Sequence, residues 1–248
     1  MKTVIITGGT KGIGAEIARV FLNYGWKVLI GARTRSKLAH ENHEHLKFQE
    51  MDVRVESNHQ ALIKTALGWS GSLDCYINCA GFSRWTSVKD VDLKFWREMM
   101  DINLLGTFWG CKVAVEHLSS GGSIINVSSL ASKRGSSNNA VYCASKFGVN
   151  GITQALAKEV GTKGIRVNAV CPVYVESQGL LDALENPQSP TKGQDVIGYL
   201  EEFAKTNSAL QRLPSGREVG ELCFYLASSS ASAITGQCIN LDCGVLPQ

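Results

Sequence analysis

The 248-residue sequence predicts an α/β fold, an open doubly wound parallel sheet of about seven strands with helices on both faces, in a single domain spanning 1–248. Three observations lead there. Short apolar runs rich in β-branched residues recur seven times, and longer segments with a helical period lie between them. The first run passes directly into a glycine-rich loop, TGGTKGIG, at 7–14. Strands that alternate with helices need crossover connections, so neighbouring strands run parallel. Strands apolar on both sides need helices on both faces.

The elements follow in chain order. TVIIT (3–7) reads as the first strand. Residues 13–24 set Ile13, Ile17, Val20, Phe21 and Tyr24 on one helical face, and Gly25 stops the helix. KVLIGA (27–32) and LKFQEMDV (46–53) read as strands. Residues 57–67 form a helix with Ser57 as N-cap and Ala61, Leu62, Ala66 and Leu67 along it. LDCYINCAG (73–81) is the next strand. The helical stretch 92–118 carries Phe95, Trp96, Phe108 and Trp109, more large apolar groups than one face can bury. Part of that surplus is expected to form a homo-oligomer interface, in a dimer or tetramer. SIINVSS (123–129), RVNAVCP (166–172) and QCINLDC (237–243) complete the strands. The least regular region, 173–215, contains Pro187, Pro190 and Pro214 and is too long for a turn. Its spacing of Leu180, Leu181, Leu184, Tyr199, Leu200 and Phe203 predicts short amphipathic helices that serve as a substrate-binding lid.

Composition narrows the function classes. The chain is 44% hydrophobic and 19% charged, ordinary for a globular protein, and its net charge of +3 argues against nucleic acid as a partner. No apolar run approaches the roughly 18 residues of a membrane span. Met1-Lys2 leads straight into a strand-like run, with no secretory leader, so a cytoplasmic location is expected. The eight cysteines lie mostly inside apolar patterns without a CxxC pair, and are read as reduced core residues rather than metal ligands. The histidine-rich HENHEH stretch, His40 to His45, reads as a solvated loop.

The glycine loop carries the first chemistry. Its Gly8, Gly12 and Gly14 stand between a strand and a helix, where bare backbone and the first N–H groups of the helix can cradle a pyrophosphate. Thr10, Lys11 and Ile13 share that loop. A dinucleotide with a free ribose 2′-hydroxyl calls for a carboxylate some 20 residues on. The second strand instead ends IGARTR, with Arg33 where the acid would stand. Arg33 and Lys11 suit a 2′-phosphate, so the charge pattern selects NADP(H) over NAD(H).

A second constellation lies in SSLASKRGSSNNAVYCASK. Tyr142 and Lys146 share one helical face, and Ser129 closes the fifth strand at the end of the sheet where ligands bind. Reduction of a ketone places negative charge on its oxygen, which needs a proton donor and a second hydrogen-bond donor. Tyr142 fits the first role and Ser129 the second. Lys146 is expected to lower the phenol pKa, with charge proximity outweighing burial.

With these motifs in hand, the sequence resembles the short-chain dehydrogenase/reductase family, most of all its 3-oxoacyl-thioester reductases. The resemblance spans nearly the whole chain: TGxxxGxG at 7–14, NCAG at 78–81 where the family usually has NNAG, Asn103 in MDINLLGTF, Ser129, and the YxxxK of Tyr142 and Lys146. It implies a Rossmann-like sheet and interconversion of a small-molecule ketone and alcohol. It also implies that Lys146 holds the nicotinamide ribose and Asn103 anchors a water relay. Asp52 and Val53 resemble the pair that meets adenine, and Asn78, Ala80 and Gly81 the strand end beneath the cofactor. Pro172 and Val175 fall where the family meets the nicotinamide end. Two other readings stay open: oxidation or reduction of a sugar derivative, and a catalytically silent NADP-binding regulator. The chain departs from the family at Val173, where glycine is usual, at Glu176 beside Ser177, and at Leu241-Asp242-Cys243-Gly244 in place of VDGG. Arg84 and Lys133-Arg134 are cations that either face an acidic substrate or are solvated, and 83–86 is expected to line the substrate pocket.

Overall fold

The computed structural model describes residues 1–35 and 43–247. His40 and its neighbours to 42 lie outside the described residues, so the reading of HENHEH is followed only at His43 to His45. Seven strands, β1 (Thr3–Thr7), β2 (Lys27–Ala32), β3 (Leu46–Glu50), β4 (Cys75–Asn78), β5 (Ser123–Val127), β6 (Arg166–Pro172) and β7 (Cys238–Leu241), form one sheet in the order β3-β2-β1-β4-β5-β6-β7. Every pairing is parallel. The carboxyl ends of all seven strands therefore open on one edge.

Helices cover both faces, as the doubly apolar strands demand. They are α1 (Gly12–Asn23), α2 (Glu56–Ser70), α3 (Leu93–Met100), α4 (Gly106–Val115), α5 (Ala140–Val160), α6 (Gln178–Leu184), α7 (Val196–Asn207) and α8 (Gly216–Ala227). Val4 and Ile6 of β1 face Ile17 and Phe21 of α1 and Cys223 and Leu226 of α8. Ile5, between them in sequence, points the other way, into a second cluster with Leu62 of α2, Ala114 of α4 and Val160 of α5. The period-two alternation of β1 thus feeds two cores at once. Truncating a residue such as Phe21 would cost about 3–5 kcal/mol by the usual scale for buried aromatics.

Local details correct several expectations. Strands expected to reach 53, 81, 129 and 243 stop at 50, 78, 127 and 241, because the chain turns over the sheet edge there to build a cleft. Tyr24 does not join the buried face of α1. It is exposed, stacks on Phe224 at 3.8 Å and donates to Glu221 Oε2. Ser57 is not an N-cap: α2 begins at Glu56 behind Val55, and Ala61 is exposed. The turn that launches α2 is held instead by Val55 N–H donating to the Asp52 carbonyl and Asp52 N–H donating to Asn58 Oδ1. Residues 93–115 are continuous, joined by a π-helical turn at Asp101–Leu105. Among the described residues no helix is long and apolar enough to cross a membrane.

His59 of α2 is fully buried, between the Tyr76 hydroxyl and the Val53 carbonyl, each at 2.8 Å. A carbonyl only accepts, so Nε2 carries the proton and Nδ1 accepts from Tyr76. Burial holds the His59 pKa below its ordinary value. The unfolded chain therefore binds a proton that the folded chain refuses as pH falls through about 6.5. Stability is expected to drop below about pH 6.5 by up to about 1.4 kcal/mol per pH unit from this group. Urea unfolding at stepped pH should show that slope in the wild type and its loss in His59→Gln. Equal slopes in both proteins would contradict the assignment.

Candidate functional site

A cleft of about 810 Å³ runs along the carboxyl edge of the sheet. At one end lies the loop from β1 to α1. Gly8 has φ +71°, donates its N–H to the Gly31 carbonyl at 2.7 Å, and lies so close to the β4 loop that a Cβ would sit 2.7 Å from Ala80 Cα. A Cβ on Gly14 would fall 2.4 Å from the Gly8 carbonyl oxygen. These glycines are required by close backbone approach, not only by the turn. Lys11 stands at the N-cap of α1 without a side-chain cap, which leaves the first-turn N–H groups facing the cleft. This bare, donor-rich cradle fits the pyrophosphate of a dinucleotide.

Most of the residues singled out from sequence converge on this cleft. Gly8, Thr10, Lys11, Gly12, Ile13, Gly14, Arg33, Asp52, Val53, Ala80 and Gly81 line it, as do Ser129, Tyr142, Lys146, Pro172 and Val175. Arg33 and Lys11 are exposed on its rim. Arg54 grips the Asp52 carboxylate, and its hydrogen bonds hold the carboxyl below its usual range, with Arg33 adding to the effect. His59 fixes the neighbouring Val53 carbonyl.

Two expected site residues do not line the cleft. Asn78 is buried beneath the cleft, where its amide donates to Asn126 Oδ1 at 2.9 Å; Asn126 in turn donates to Thr153 Oγ1. Its side chain is a core polar link between β4, β5 and α5, and it does not line the cleft. Asn103 is likewise fully buried, in the π-helical turn. Its amide is engaged on both sides by Phe82, accepting from the N–H at 3.0 Å and donating to the carbonyl at 2.9 Å. It fixes the Gly81–Phe82 wall from behind. Thr7 does similar work that sequence reasoning missed: its Oγ1 accepts from Cys79 and Ala80 N–H at 3.1 and 3.3 Å. The hydroxyl at the end of β1 was the available signal.

The other end of the cleft brings Ser129, Tyr142 and Lys146 together. Ser129 is extended, and its Oγ accepts from Ala131 N–H at 3.1 Å. Tyr142 and Lys146 are one turn apart on α5, with Lys146 Nζ 5.9 Å from the phenol ring centre. Lys146 is only 6% exposed, and its Nζ donates to the Val127 carbonyl at 2.9 Å. Burial pushes the Lys146 pKa down to about 8. It pushes Tyr142 up to about 12, with interaction with the Ser129 side chain acting the other way. The expected balance is thus reversed in these surroundings. Desolvation is the largest effect on the phenol, and the ammonium is hydrogen-bonded to the end of β5.

The remaining departures are now placed. Val173 keeps an ordinary negative φ and donates its N–H to the Leu241 carbonyl, so valine there is unstrained. Ser177 caps α6, accepting from Leu180 N–H, and lines the cleft. Asp242 accepts from the N–H groups of Gly244 and Leu246, while Cys243 holds a left-handed φ of +54°. Ser83, Arg84 and Trp85 line the cleft, Thr86 does not. Arg134 lines it and Lys133 does not; Arg84 stacks over the Phe95 ring at 4.2 Å. The region 173–215 forms α6 and α7, whose Ala183, Leu184 and Leu200 pack on Trp85. Asn139, just before α5, also lines the cleft and was missed; its place one turn ahead of Tyr142 was the signal.

Comparison with known proteins agrees with this geometry. Residues 2–187 match the family described as short chain dehydrogenase. The chain is 30% identical to the 3-oxoacyl-[acyl-carrier-protein] reductase FabG of Chlamydia muridarum, over 98% of this chain and 97% of that protein. It is 31% identical to glucose 1-dehydrogenase 2 of Bacillus subtilis, over 98% of this chain and 94% of that protein. Among solved structures, a variant of the actinorhodin polyketide ketoreductase with NADPH is similar with a TM-score of 0.89 and 29% identity, covering 98% of this chain and 97% of that one. The aldohexose dehydrogenase of Thermoplasma acidophilum, in ligand-free form, has a TM-score of 0.88 and 29% identity, covering 98% and 93%. The doubly wound sheet, the glycine cradle and these matches lead to one conclusion: the chain belongs to the short-chain dehydrogenase/reductase family.

Proposed function

We propose that this protein is an NADP(H)-dependent carbonyl reductase that interconverts a ketone and a secondary alcohol. The observation that carries this reading is the convergence of Ser129, Tyr142 and Lys146 on the wall of the cleft that the glycine cradle opens into. A bound reduced nicotinamide supplies hydride. The protein supplies the proton and holds the carbonyl. Tyr142, with its pKa raised to about 12, keeps its proton in the resting site. A developing alkoxide is far more basic than a phenolate, so transfer from Tyr142 to it is downhill. Ser129 Oγ already accepts from Ala131, which leaves its hydrogen to donate to the carbonyl oxygen. Lys146 spends one N–H on Val127 and has two left for ribose hydroxyls. With its own pKa near 8 it is mostly charged at neutral pH, and it favours tyrosinate whenever the proton leaves. Asn103 acts as a positioning residue through Phe82.

Arg33 and Lys11, on the rim beside the cradle, suit the 2′-phosphate of NADP(H), and α6 and α7 suit a substrate lid. Trp96, Phe108 and Phe147 are each more than 40% exposed, on helices that pack together. That surface supports a homo-oligomer. A cytoplasmic location belongs to this reading, supported by the likeness to the 3-oxoacyl-[acyl-carrier-protein] reductase. Oxidation or reduction of a sugar derivative is the second reading, favoured by sugar dehydrogenases among the similar proteins.

Two variants test the assignments. Tyr142→Phe is expected to lower kcat at least about 100-fold while NADPH affinity stays within about threefold. A near-normal kcat would show that another group gives the proton. Arg33→Ala is expected to raise KM for NADPH by at least about tenfold and to change KM for NADH little, since it removes a charge-assisted contact to one phosphate. Equal effects on both cofactors would contradict the 2′-phosphate role.

A further inference from the structure

Among the described residues, two polar atoms in the cleft wall lack partners. The indole N–H of Trp85 and the side-chain Oδ1 of Asn139 are both buried without a hydrogen bond. Their residues are 4% and 5% exposed, and both line the cleft. Thr86 N–H donates to the Asn138 carbonyl at 2.6 Å, which sets Trp85 and Asn139 on either side of one backbone contact. Asn138 itself takes a left-handed φ of +55° and donates its amide to the Gln188 carbonyl, so the turn presenting Asn139 is tied down.

A buried polar group without a partner is costly, and a site tolerates that where a ligand supplies the partner. Asn139 does not spend its side chain on capping α5; its only bond is a donation to Ser136 Oγ at 3.2 Å. It stands at the N-cap of α5, three residues before Tyr142. Asn139 therefore stands on the Tyr142 side of the cleft, and the Thr86–Asn138 contact brings the Trp85 segment to that side.

We propose, resting on the carbonyl reductase reading, that Trp85 and Asn139 recognise a hydroxyl group next to the reacting carbonyl, so that the substrates are hydroxyketones and the products vicinal diols. A hydroxyl is the simplest group that accepts from an indole N–H and donates to an amide oxygen. With the Asn139 amide turned over, a hydroxyl would accept from its NH₂ instead, so the fit survives either orientation. The rest of this wall is apolar, with Ala183, Leu184 and Leu200 packed on the Trp85 ring. The two residues are specificity-determining, and neither moves the proton.

The test uses matched pairs that differ by one hydroxyl, hydroxyacetone against acetone and benzoin against deoxybenzoin, each with NADPH. The wild type is expected to favour the hydroxylated member of a pair by at least about tenfold in kcat/KM. Asn139→Ala and Trp85→Phe should each bring that ratio to within about twofold of one, through KM as well as kcat. Phe keeps the ring and loses the N–H, and thermal unfolding reports whether each variant folds. If Trp85→Phe fails to fold, the Asn139 arm decides. A wild-type ratio near one, or a ratio unchanged in the variants, overturns the proposal and leaves the reductase reading intact. Equal losses on both members of a pair would mean that the residues only hold the wall, which also overturns it. Failure to turn over any of the four ketones with NADPH or NADH overturns the proposal together with the reading it rests on.

Discussion

The cleft exists because two loops leave adjacent parallel strands and meet backbone to backbone. β1 lies between β2 and β4, so the chain after β1 and the chain after β4 emerge side by side. Gly8 presses on Ala80 with no room for a Cβ, and Thr7 ties both Cys79 and Ala80 to the end of β1. Any side chain at Gly8 would push these loops apart. With them apart, the glycine cradle on one side and the Gly81–Phe82 wall on the other would lose their register. The family's dinucleotide loop and the Gly81–Phe82 wall of the cleft therefore rest on one close contact.

The end of the cleft that holds Ser129, Tyr142 and Lys146 is anchored in the same way, by a neighbour in the sheet. β5 pairs with β4, and its last carbonyl, that of Val127, receives the Lys146 ammonium. Burying that ammonium costs enough to bring its pKa down toward neutrality. The hydrogen bond to Val127 offsets part of that cost, and the ammonium, the phenol and Ser129 are held at a strand end and on a long helix. Asn103 completes the support from the opposite side, with its amide closed on Phe82. Rigid placement of this kind is what a proton transfer within hydrogen-bond reach demands.

The fold class was legible because β1, β2, β5 and β6 are apolar on both faces, a pattern that only covered parallel strands satisfy. The glycine loop and the Ser129, Tyr142 and Lys146 constellation were legible because their chemistry is carried by residue type and spacing. What stayed hidden depends on contacts distant in sequence. Asn78 sits two residues from Ala80 and reads like a cleft residue, but its register opposite Asn126 turns the side chain into the core. His59 lies in a polar run, and only the approach of Tyr76 from β4 reveals it as buried. The phenol was misjudged for a related reason. Spacing tells that Lys146 is near, whereas the competing desolvation and the pull of Val127 are properties of the folded site. Asn139 and Trp85 show their lack of partners only once the wall is assembled.

The central claim is that one cleft brings a hydride donor and the Tyr142 proton to the same carbonyl. It is tested most directly by tracing both hydrogens in the reduction of a ketone with NADPH deuterated at the nicotinamide C4. The account predicts deuterium on the carbinol carbon of the product in ordinary water. With unlabelled NADPH in heavy water, that carbon should carry none, and the label should enter only at the exchangeable hydroxyl. Solvent deuterium on the carbinol carbon, or none from the labelled cofactor, would contradict it.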